Sequence, residues 1–164
     1  MKIKGNAIKY GNDINTDLII PGRYLSYENH KELANHAMED LDPYFLNKFH
    51  KGDIIVAGKN FGCGSSREQA VICLKNVGVG AIIAKSFSRI FFRNAINIGL
   101  PIIECAKLPD IIQNQDEIQI DYENGKIENL SKKKKYSIEP FPDIIREIIK
   151  NGGLVQYIKK NLLK

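Results

Sequence analysis

Three short apolar segments, separated by stretches with helical spacing, constrain the fold of this chain more than any other feature. The segments cover residues 53–57, 79–84 and 101–104 and are rich in isoleucine, valine and alanine, which is typical of buried strands. Between them, apolar residues recur at helical spacing over residues 66–77 and 88–97. This alternation predicts a β-α-β-α-β unit whose strands lie parallel in one sheet.

The remaining sequence extends this α/β core. The same criteria predict further strands near 2–9, 117–121, 126–129 and 135–138, and helices near 30–39 and 142–161, the last interrupted at Gly152-Gly153. We expect the C-terminal hairpin and helix to cover the core. A chain of 164 residues with 43% hydrophobic side chains suits one domain, residues 1–164, with one core.

The glycine-rich segment after the first of these three strands is where we expect the chemistry. Residues 58–70 read GKNFGCGSSREQA and lead into a predicted helix. Ligands of parallel sheets bind beyond the carboxyl ends of the strands. The free N–H groups at the start of a helix attract anions. Arg67, beside the hydroxyls of Ser65 and Ser66, adds a positive charge, so the segment predicts an anion site.

Another interpretation of the glycine turn stays open. Ser65 and Glu68 have the spacing of a capping box, in which both side chains merely satisfy N–H groups at a helix start.

A second turn, at residues 86–89, follows the predicted strand 79–84 and should face the same cleft. The polar residues of this turn and of the predicted helix after it are weaker candidates for the site, because capping and surface pairing would also explain them. They are Ser86, Ser88, Arg89, Arg93 and Asn94. We expect Arg89 to structure the glycine turn.

Three motifs in order carry a resemblance to a known family. They are Asn15-Thr16-Asp17, residues 60–70 and residues 84–90, which read AKSFSRI. Together they resemble the swivelling domain of the aconitase superfamily, and most of all its free-standing 3-isopropylmalate dehydratase small subunits, over nearly the whole chain. The resemblance implies an aconitase-like swivelling β/β/α domain with a central, mostly parallel sheet flanked by helices.

The resemblance also implies an activity shared between two chains. The family's hydro-lyases isomerise 2-isopropylmalate and 3-isopropylmalate by dehydration and rehydration in leucine biosynthesis. The small subunit is active only with a large subunit that carries a 4Fe-4S cluster, in a heterodimer or heterotetramer. The cysteines of this chain, Cys63, Cys73 and Cys105, lack the short spacing of cluster ligands, so we expect this chain to bind no cofactor.

Given such a reaction, Ser65 is our predicted general base. A serine is a poor base in water, but an alkoxide held by Arg67 and by N–H groups in a closed site becomes plausible. We expect Ser66 and Arg67 to bind a carboxylate of the substrate. Asp17 matches an aspartate that in the family supports the serine and the arginine.

The segment after Pro21-Gly22 is, by resemblance, a lid that discriminates substrates. Its predicted substrate-binding residues are Arg23, Tyr24, Leu25, Ser26 and Tyr27. Homoaconitases of this type carry an arginine after Tyr-Leu and isopropylmalate enzymes usually an apolar residue, whereas this chain has Ser26. Serine cannot clamp a carboxylate as arginine does, which favours isopropylmalate. Homocitrate, citrate and dimethylmalate- or citramalate-type substrates stay open, because Arg23 could bind the extra carboxylate.

The composition argues against other classes of protein. No apolar stretch approaches the ~20 residues of a membrane span, and the N-terminal residues lack a signal-peptide pattern, so we expect a cytoplasmic protein with no membrane partner. The net charge of +5 and the run Lys132–Lys135 leave an RNA-binding module as the alternative. We expect no nucleic-acid partner, because the basic run is short and no aromatic stacking strand accompanies it.

Overall fold

One sheet of seven strands organises the protein in a computed structural model that describes residues 2–161. The strands are β1 (Lys2–Lys9), β2 (Ile54–Ala57), β3 (Ala81–Ala84), β4 (Ile102–Glu104), β5 (Glu117–Asp121), β6 (Lys126–Asn129) and β7 (Lys134–Ser137). Their order in the sheet is β4-β3-β2-β1-β5-β6-β7. The pairs from β4 to β1 are parallel, and those from β1 to β7 are antiparallel. The α/β class and the β-α-β-α-β unit are therefore confirmed.

Short and long helices flank this sheet. The α-helices are α1 (Thr16–Ile19), α2 (His30–Ala34), α3 (Phe45–Lys48), α4 (Glu68–Val77), α5 (Arg89–Asn97), α6 (Leu108–Ile111), α7 (Asp143–Lys150) and α8 (Leu154–Asn161), and a 3-10 helix covers Gly22–Tyr24. The predicted break at Gly152-Gly153 separates α7 from α8. Helix α2 is shorter than predicted, because Met38 takes a left-handed conformation and donates its N–H to the Ile19 carbonyl at 2.8 Å.

Strand β1 joins the parallel and antiparallel halves. Its C-terminal end pairs with β2, with Ala7 opposite Ile54, and its N-terminal end pairs with β5, with Lys2 opposite Asp121. The β6-β7 hairpin continues the sheet beyond β5, and its Ile127 belongs to the core cluster that covers one face of β2 and β3, with Tyr136 packed against it. The hairpin thus contributes to covering the core, as expected, and it also pairs with the edge of β5, whose N–H and C=O groups would otherwise lack partners.

The core lies on both faces of the parallel strands. Every residue of β2 and β3 is buried. Ile55 and Ile82 pack on one face with α4, whereas Ile54 and Ile83 pack on the other face with the antiparallel half. Continuous apolar strands are expected where helices or loops cover both faces. The sheet is therefore a rigid support, and its strand ends position the loops described below.

A buried carboxylate connects the antiparallel strands. Asp116 is 7% exposed and accepts hydrogen bonds from the Asn129 amide at 2.6 Å and the Gln113 N–H at 2.9 Å. Lys132 lies 3.2 Å from the same carboxylate and also donates to the Ile111 carbonyl at 2.9 Å. Lys132, the first residue of the lysine run, therefore has a structural role in the fold.

Replacing Asp116 with alanine should lower the free energy of unfolding by about 1–3 kcal/mol, because the buried Asn129 amide would lose its acceptor. Burial acts to raise the Asp116 pKa, but hydrogen bonds from Gln113, Asn129 and Lys132 outweigh it and lower the pKa. The unfolded chain thus binds the proton more readily, so the carboxylate stabilises the fold above about pH 4 and loses this effect as the pH falls towards its folded pKa.

Urea unfolding of the wild type and of Asp116→Ala at pH 7 and near pH 3 checks this prediction. The difference in unfolding free energy should be larger at pH 7. An equal difference at both pH values would contradict the proposed ionised network. Glu139, an exposed carboxylate that follows β7, offers the matched control as Glu139→Ala.

Candidate active site

The glycine turn is held on one side by the segment that leads into α1. The Gly62 N–H donates to the Ile14 carbonyl at 2.8 Å, and the Thr16 N–H donates to the Cys63 carbonyl at 2.9 Å. The Thr16 hydroxyl adds a bond of 2.9 Å to the Ser65 carbonyl. These bonds place the start of α1 directly beside Ser65.

The turn that follows β3 holds the glycine turn on its other side. The Phe61 N–H donates to the Ser86 carbonyl at 3.0 Å, and the Ser88 N–H donates to the Phe61 carbonyl at 2.9 Å. The Ser88 hydroxyl donates to the Gly62 carbonyl at 2.7 Å, and the Ser86 hydroxyl accepts the Asn60 N–H at 2.9 Å. Both serine hydroxyls therefore position the turn, and the prediction that the two turns meet is confirmed.

Only glycine fits at position 62. Its φ of 76° lies in the left-handed region, and a Cβ atom built there would lie 2.2 Å from Cγ of Phe91. Phe91 is 2% exposed and packs edge to face on Phe61 with ring centroids 5.2 Å apart. The glycine lets the turn lie directly on α5, which fixes the relative position of the two elements.

The capping-box interpretation of Ser65 and Glu68 is wrong. Helix α4 begins at Glu68, and its N-cap is Arg67, which makes no side-chain capping bond. Arg67 has extended backbone angles, φ −130° and ψ 106°, so Ser65 lies outside the first turn of the helix. Ser65 and Ser66 are exposed, and within residues 2–161 their backbone N–H groups have no acceptor. The hydroxyl of Ser65 is therefore available for another role.

The predicted site residues of the glycine turn line one cavity of about 170 Å³. The turn contributes Ser65, Ser66 and Arg67, and the start of α5 contributes Ser88, Arg89 and Asn94. Thr16, named above only as part of the motif Asn15-Thr16-Asp17, also lines this cavity. Arg89 does not hold the glycine turn as expected: its exposed side chain forms no hydrogen bond or ion pair with the described residues and borders the cavity.

Asp17 lies beside Arg67, as predicted. The Asp17 carboxylate forms an ion pair with Nη1 of Arg67. Asn15 starts α1 by accepting the Leu18 N–H at 3.0 Å, which orients the first turn of that helix towards the cavity. The Arg67 side chain is 19% exposed and that of Asp17 is 59% exposed, so the pair lies at the mouth of the cavity.

The predicted lid residues do not line the cavity of Ser65. The 3-10 helix Gly22–Tyr24 lies next to Arg67, but the Arg23 guanidinium is bound to the carboxylates of Glu39 and Asp40. The Tyr24 hydroxyl donates to Glu39 at 2.7 Å. Leu25 packs against the core, and Ser26 and Tyr27 are exposed. The structure thus brings Ser65, Ser66, Arg67 and Asp17 together, and the five lid residues lie outside the cavity.

The arrangement is suited to binding an anion. Arg67 lines the cavity together with Ser65 and Ser66, whose backbone N–H groups have no acceptor within residues 2–161, and Arg89 adds a second positive charge to the lining. Hydrogen bonds to an ionised group are roughly twice as strong as those to a neutral one. A carboxylate or a deprotonated hydroxyl is therefore favoured there. Within residues 2–161, no group of His, Cys, Asp and Glu side chains could hold a metal ion.

Cys63, inside the glycine turn, should react slowly with iodoacetamide at pH 7. Burial raises its pKa, and the nearby Asp13 carboxylate raises it further, so little reactive thiolate forms. Cys73 is fully buried, and burial raises its pKa to about 12. Peptide mass spectrometry of the folded protein should find Cys63 labelled more slowly than glutathione and Cys73 unlabelled. Labelling of Cys63 faster than glutathione would contradict this.

Comparisons with known proteins identify the family of this chain. The aconitase C-terminal domain family matches residues 6–108. The 3-isopropylmalate dehydratase small subunit of Caldicellulosiruptor bescii is 56% identical over 164 residues, which cover 100% of this chain and 99% of that protein. The protein of the same name from Ruminiclostridium cellulolyticum is 54% identical over 162 residues, 99% of each chain. The crystal structure of 3-isopropylmalate dehydratase from Methanocaldococcus jannaschii aligns with a TM-score of 0.92 at 50% identity, covering 99% of this chain and 96% of that one.

Proposed function

We propose that this chain, which belongs to the aconitase C-terminal domain family, supplies the base and the carboxylate-binding half of a hydro-lyase active site. It functions as a small subunit of 3-isopropylmalate dehydratase, which converts 2-isopropylmalate and 3-isopropylmalate into each other by removing and re-adding water. The observation that carries the assignment of residues is the shared cavity of Ser65, Ser66 and Arg67, with Asp17 paired to Arg67.

Ser65 acts as the general base. The proton to be removed lies next to a carboxylate and is weakly acidic, so the base must be strong. A serine alkoxide is strong enough, and it needs positive partners to exist near neutral pH. The Arg67 side chain on the same cavity wall and the free N–H groups of Ser65 and Ser66 are such partners, and they act more strongly once water is excluded.

Ser66 and Arg67 bind a carboxylate of the substrate. The Asp17 carboxylate pairs with Nη1 of the Arg67 guanidinium. Within residues 2–161, the other guanidinium nitrogens of Arg67 have no hydrogen-bond acceptor. These nitrogens can receive the carboxylate, with the Ser66 hydroxyl as a further donor. Asp17 fixes the orientation of the Arg67 plane, so the substrate meets a preset donor geometry.

The other half of the site belongs to a large subunit. The name of the relatives as small subunits implies such a partner. The family's iron-sulfur cluster does not fit the described residues of this chain, which offer no ligand group for a metal. We propose that the large subunit carries it and that it assists departure of the hydroxyl. The reaction would take place in the cytoplasm, where reducing conditions suit the free thiols Cys63, Cys73 and Cys105. No helix in the described part of the chain could cross a membrane.

Reconstitution tests this proposal. The subunit is mixed under anaerobic conditions with a cluster-loaded large subunit, and the ultraviolet absorbance of the unsaturated product is followed from 3-isopropylmalate, citrate and homocitrate. We expect turnover of 3-isopropylmalate in the mixture and none with either subunit alone. Preference for homocitrate would overturn the substrate assignment. Complex formation without turnover of any substrate would overturn the proposed function and favour a binding module, which RNA titration at increasing salt would test.

A further inference from the structure

We propose that Arg23 is a positioning residue that acts through Arg67 and does not itself bind the substrate. Its ion pairs with Asp40 and Glu39 hold the main chain of Gly22 against the guanidinium of Arg67. The inference rests on the proposed function, because it takes Arg67 as the residue that binds the substrate carboxylate. It assigns the lid segment a defined mechanical link to the core.

The main chain at Gly22 forms one wall beside the Arg67–Asp17 pair. A Cβ atom built on Gly22 would lie 3.7 Å from both Nη atoms of Arg67 and 3.8 Å from Oδ1 of Asp17. These are van der Waals distances, so the backbone lies next to the pair. Gly22 begins the 3-10 helix that contains Arg23. A shift of this short helix would therefore change the space in which Arg67 is oriented.

Arg23 fixes the 3-10 helix through a two-pronged contact. Its Nη1 lies 2.9 Å from Oδ2 of Asp40 and its Nη2 lies 2.6 Å from Oδ1, while Nη2 is also 2.5 Å from Oε1 of Glu39. Parallel bonds between a planar guanidinium and a carboxylate define direction as well as distance. The Arg23 side chain is 53% exposed, so the pair adds little to overall stability, and its effect is local.

Tyr24 strengthens the same anchor. Its ring stacks on that of His36 with centroids 3.6 Å apart, and its hydroxyl donates to Glu39 at 2.7 Å. His36 also lies 2.8 Å from the second oxygen of Glu39. Burial acts to raise the Glu39 pKa, but hydrogen bonds from Tyr24, His36 and Arg23 outweigh it and lower the pKa. Glu39 is therefore a carboxylate on which two residues of the 3-10 helix converge.

The residues that receive the anchor are fixed to the core. Met38 is fully buried, and its N–H donates to the Ile19 carbonyl at 2.8 Å. Ala37 is 1% exposed in the same core cluster. Asp40 and Glu39 follow these residues directly, so their main chain cannot shift freely with the 3-10 helix. Arg23 thus ties the 3-10 helix to a segment that is fixed in the core, and its guanidinium is already occupied by two carboxylates.

A double-mutant cycle distinguishes a positioning role from substrate binding. Arg23→Ala, Asp40→Ala and the double variant are each assembled with the large subunit, and kcat and KM for 3-isopropylmalate are measured. We expect Arg23→Ala to raise KM about fivefold with kcat within about twofold of the wild type, because Arg67 is less well oriented. Asp40→Ala should also raise KM, and the KM of the double variant should equal that of Arg23→Ala.

Substrate binding by Arg23 itself would give a different result. Removing Asp40 would then release the guanidinium, so KM would fall or stay unchanged in Asp40→Ala. Either that outcome or fully multiplicative effects in the double variant would overturn the inference. The matched control is Lys4→Ala, which removes an equally exposed pair, Lys4 with Glu117 at 3.0 Å, on the antiparallel part of the sheet.

Hydrogen exchange on the isolated subunit supplies a readout that needs no activity. The Tyr24 N–H donates to the Pro21 carbonyl at 3.0 Å and the Tyr27 N–H to the Tyr24 carbonyl at 3.1 Å. Both amides should exchange faster in Arg23→Ala and Asp40→Ala but not in Lys4→Ala. Unchanged exchange would overturn the inference, whereas a wild-type complex without turnover would overturn the proposed function instead.

Discussion

Replacing Ser65 with alanine is expected to lower kcat for 3-isopropylmalate by about 10³-fold, the range in which general bases contribute to catalysis. The fold should not change, because Ser65 is exposed and the capping role that its sequence suggested is absent: α4 begins at Glu68. The melting temperature and the affinity for the large subunit should therefore match those of the wild type. This combination separates a chemical role from a structural one.

The measurement is steady-state turnover by the reconstituted complex, with assembly checked by size-exclusion chromatography. Ser137→Ala is the matched control, since Ser137 is also exposed and lies on β7, away from the cavity. If Ser65→Ala keeps kcat within about threefold of the wild type, Ser65 is not the base. A fall in melting temperature that accompanies the loss of turnover would point to a structural role instead.

Replacing Arg67 is the second large effect that we expect. Arg67→Ala should lower kcat/KM by about 10³-fold, because the substrate carboxylate and the Ser65 alkoxide would both lose their cationic partner. Arg67→Lys should recover only part of this loss. A lysine keeps the charge but cannot form two parallel bonds while it also contacts Asp17.

Arg146→Ala is the control for Arg67, because Arg146 pairs with Asp143 on α7, outside the cavity. Inhibition by a non-reactive dicarboxylate tests carboxylate binding directly, and its inhibition constant should rise in Arg67→Ala. If kcat falls while that constant is unchanged, Arg67 stabilises the base and another residue binds the carboxylate. Arg89, which lines the same cavity, would then be the next residue to replace.

The candidate site was predictable to the extent that its residues lie close together in the chain. Ser65, Ser66 and Arg67 follow a buried strand, and ligand sites occur beyond the carboxyl ends of such strands. The local pattern also suggested the wrong detail. Ser65-x-x-Glu68 has the spacing of a capping box, but hydrogen bonds to Thr16 and to the Ile14 segment keep residues 62–65 outside the helix.

The role of the lid segment could not be read from its sequence. Arg23 was a candidate for binding a substrate carboxylate because it is the cation of the predicted lid segment. The carboxylates that bind it, at positions 39 and 40, come from a turn whose position depends on Met38 entering the core. An ion pair over 17 residues is decided by packing, and no spacing rule predicts it.

The sequence by itself determined the alternation of strands and helices, the family and the residues of the glycine turn, because periodicity and short motifs are local properties of the chain. Only the tertiary structure decided that β1 joins two halves of one sheet, that Asp17 pairs with Arg67, and that Arg23 faces Asp40. These contacts depend on how segments pack across long stretches of chain, where burial and hydrogen bonding outweigh local propensity.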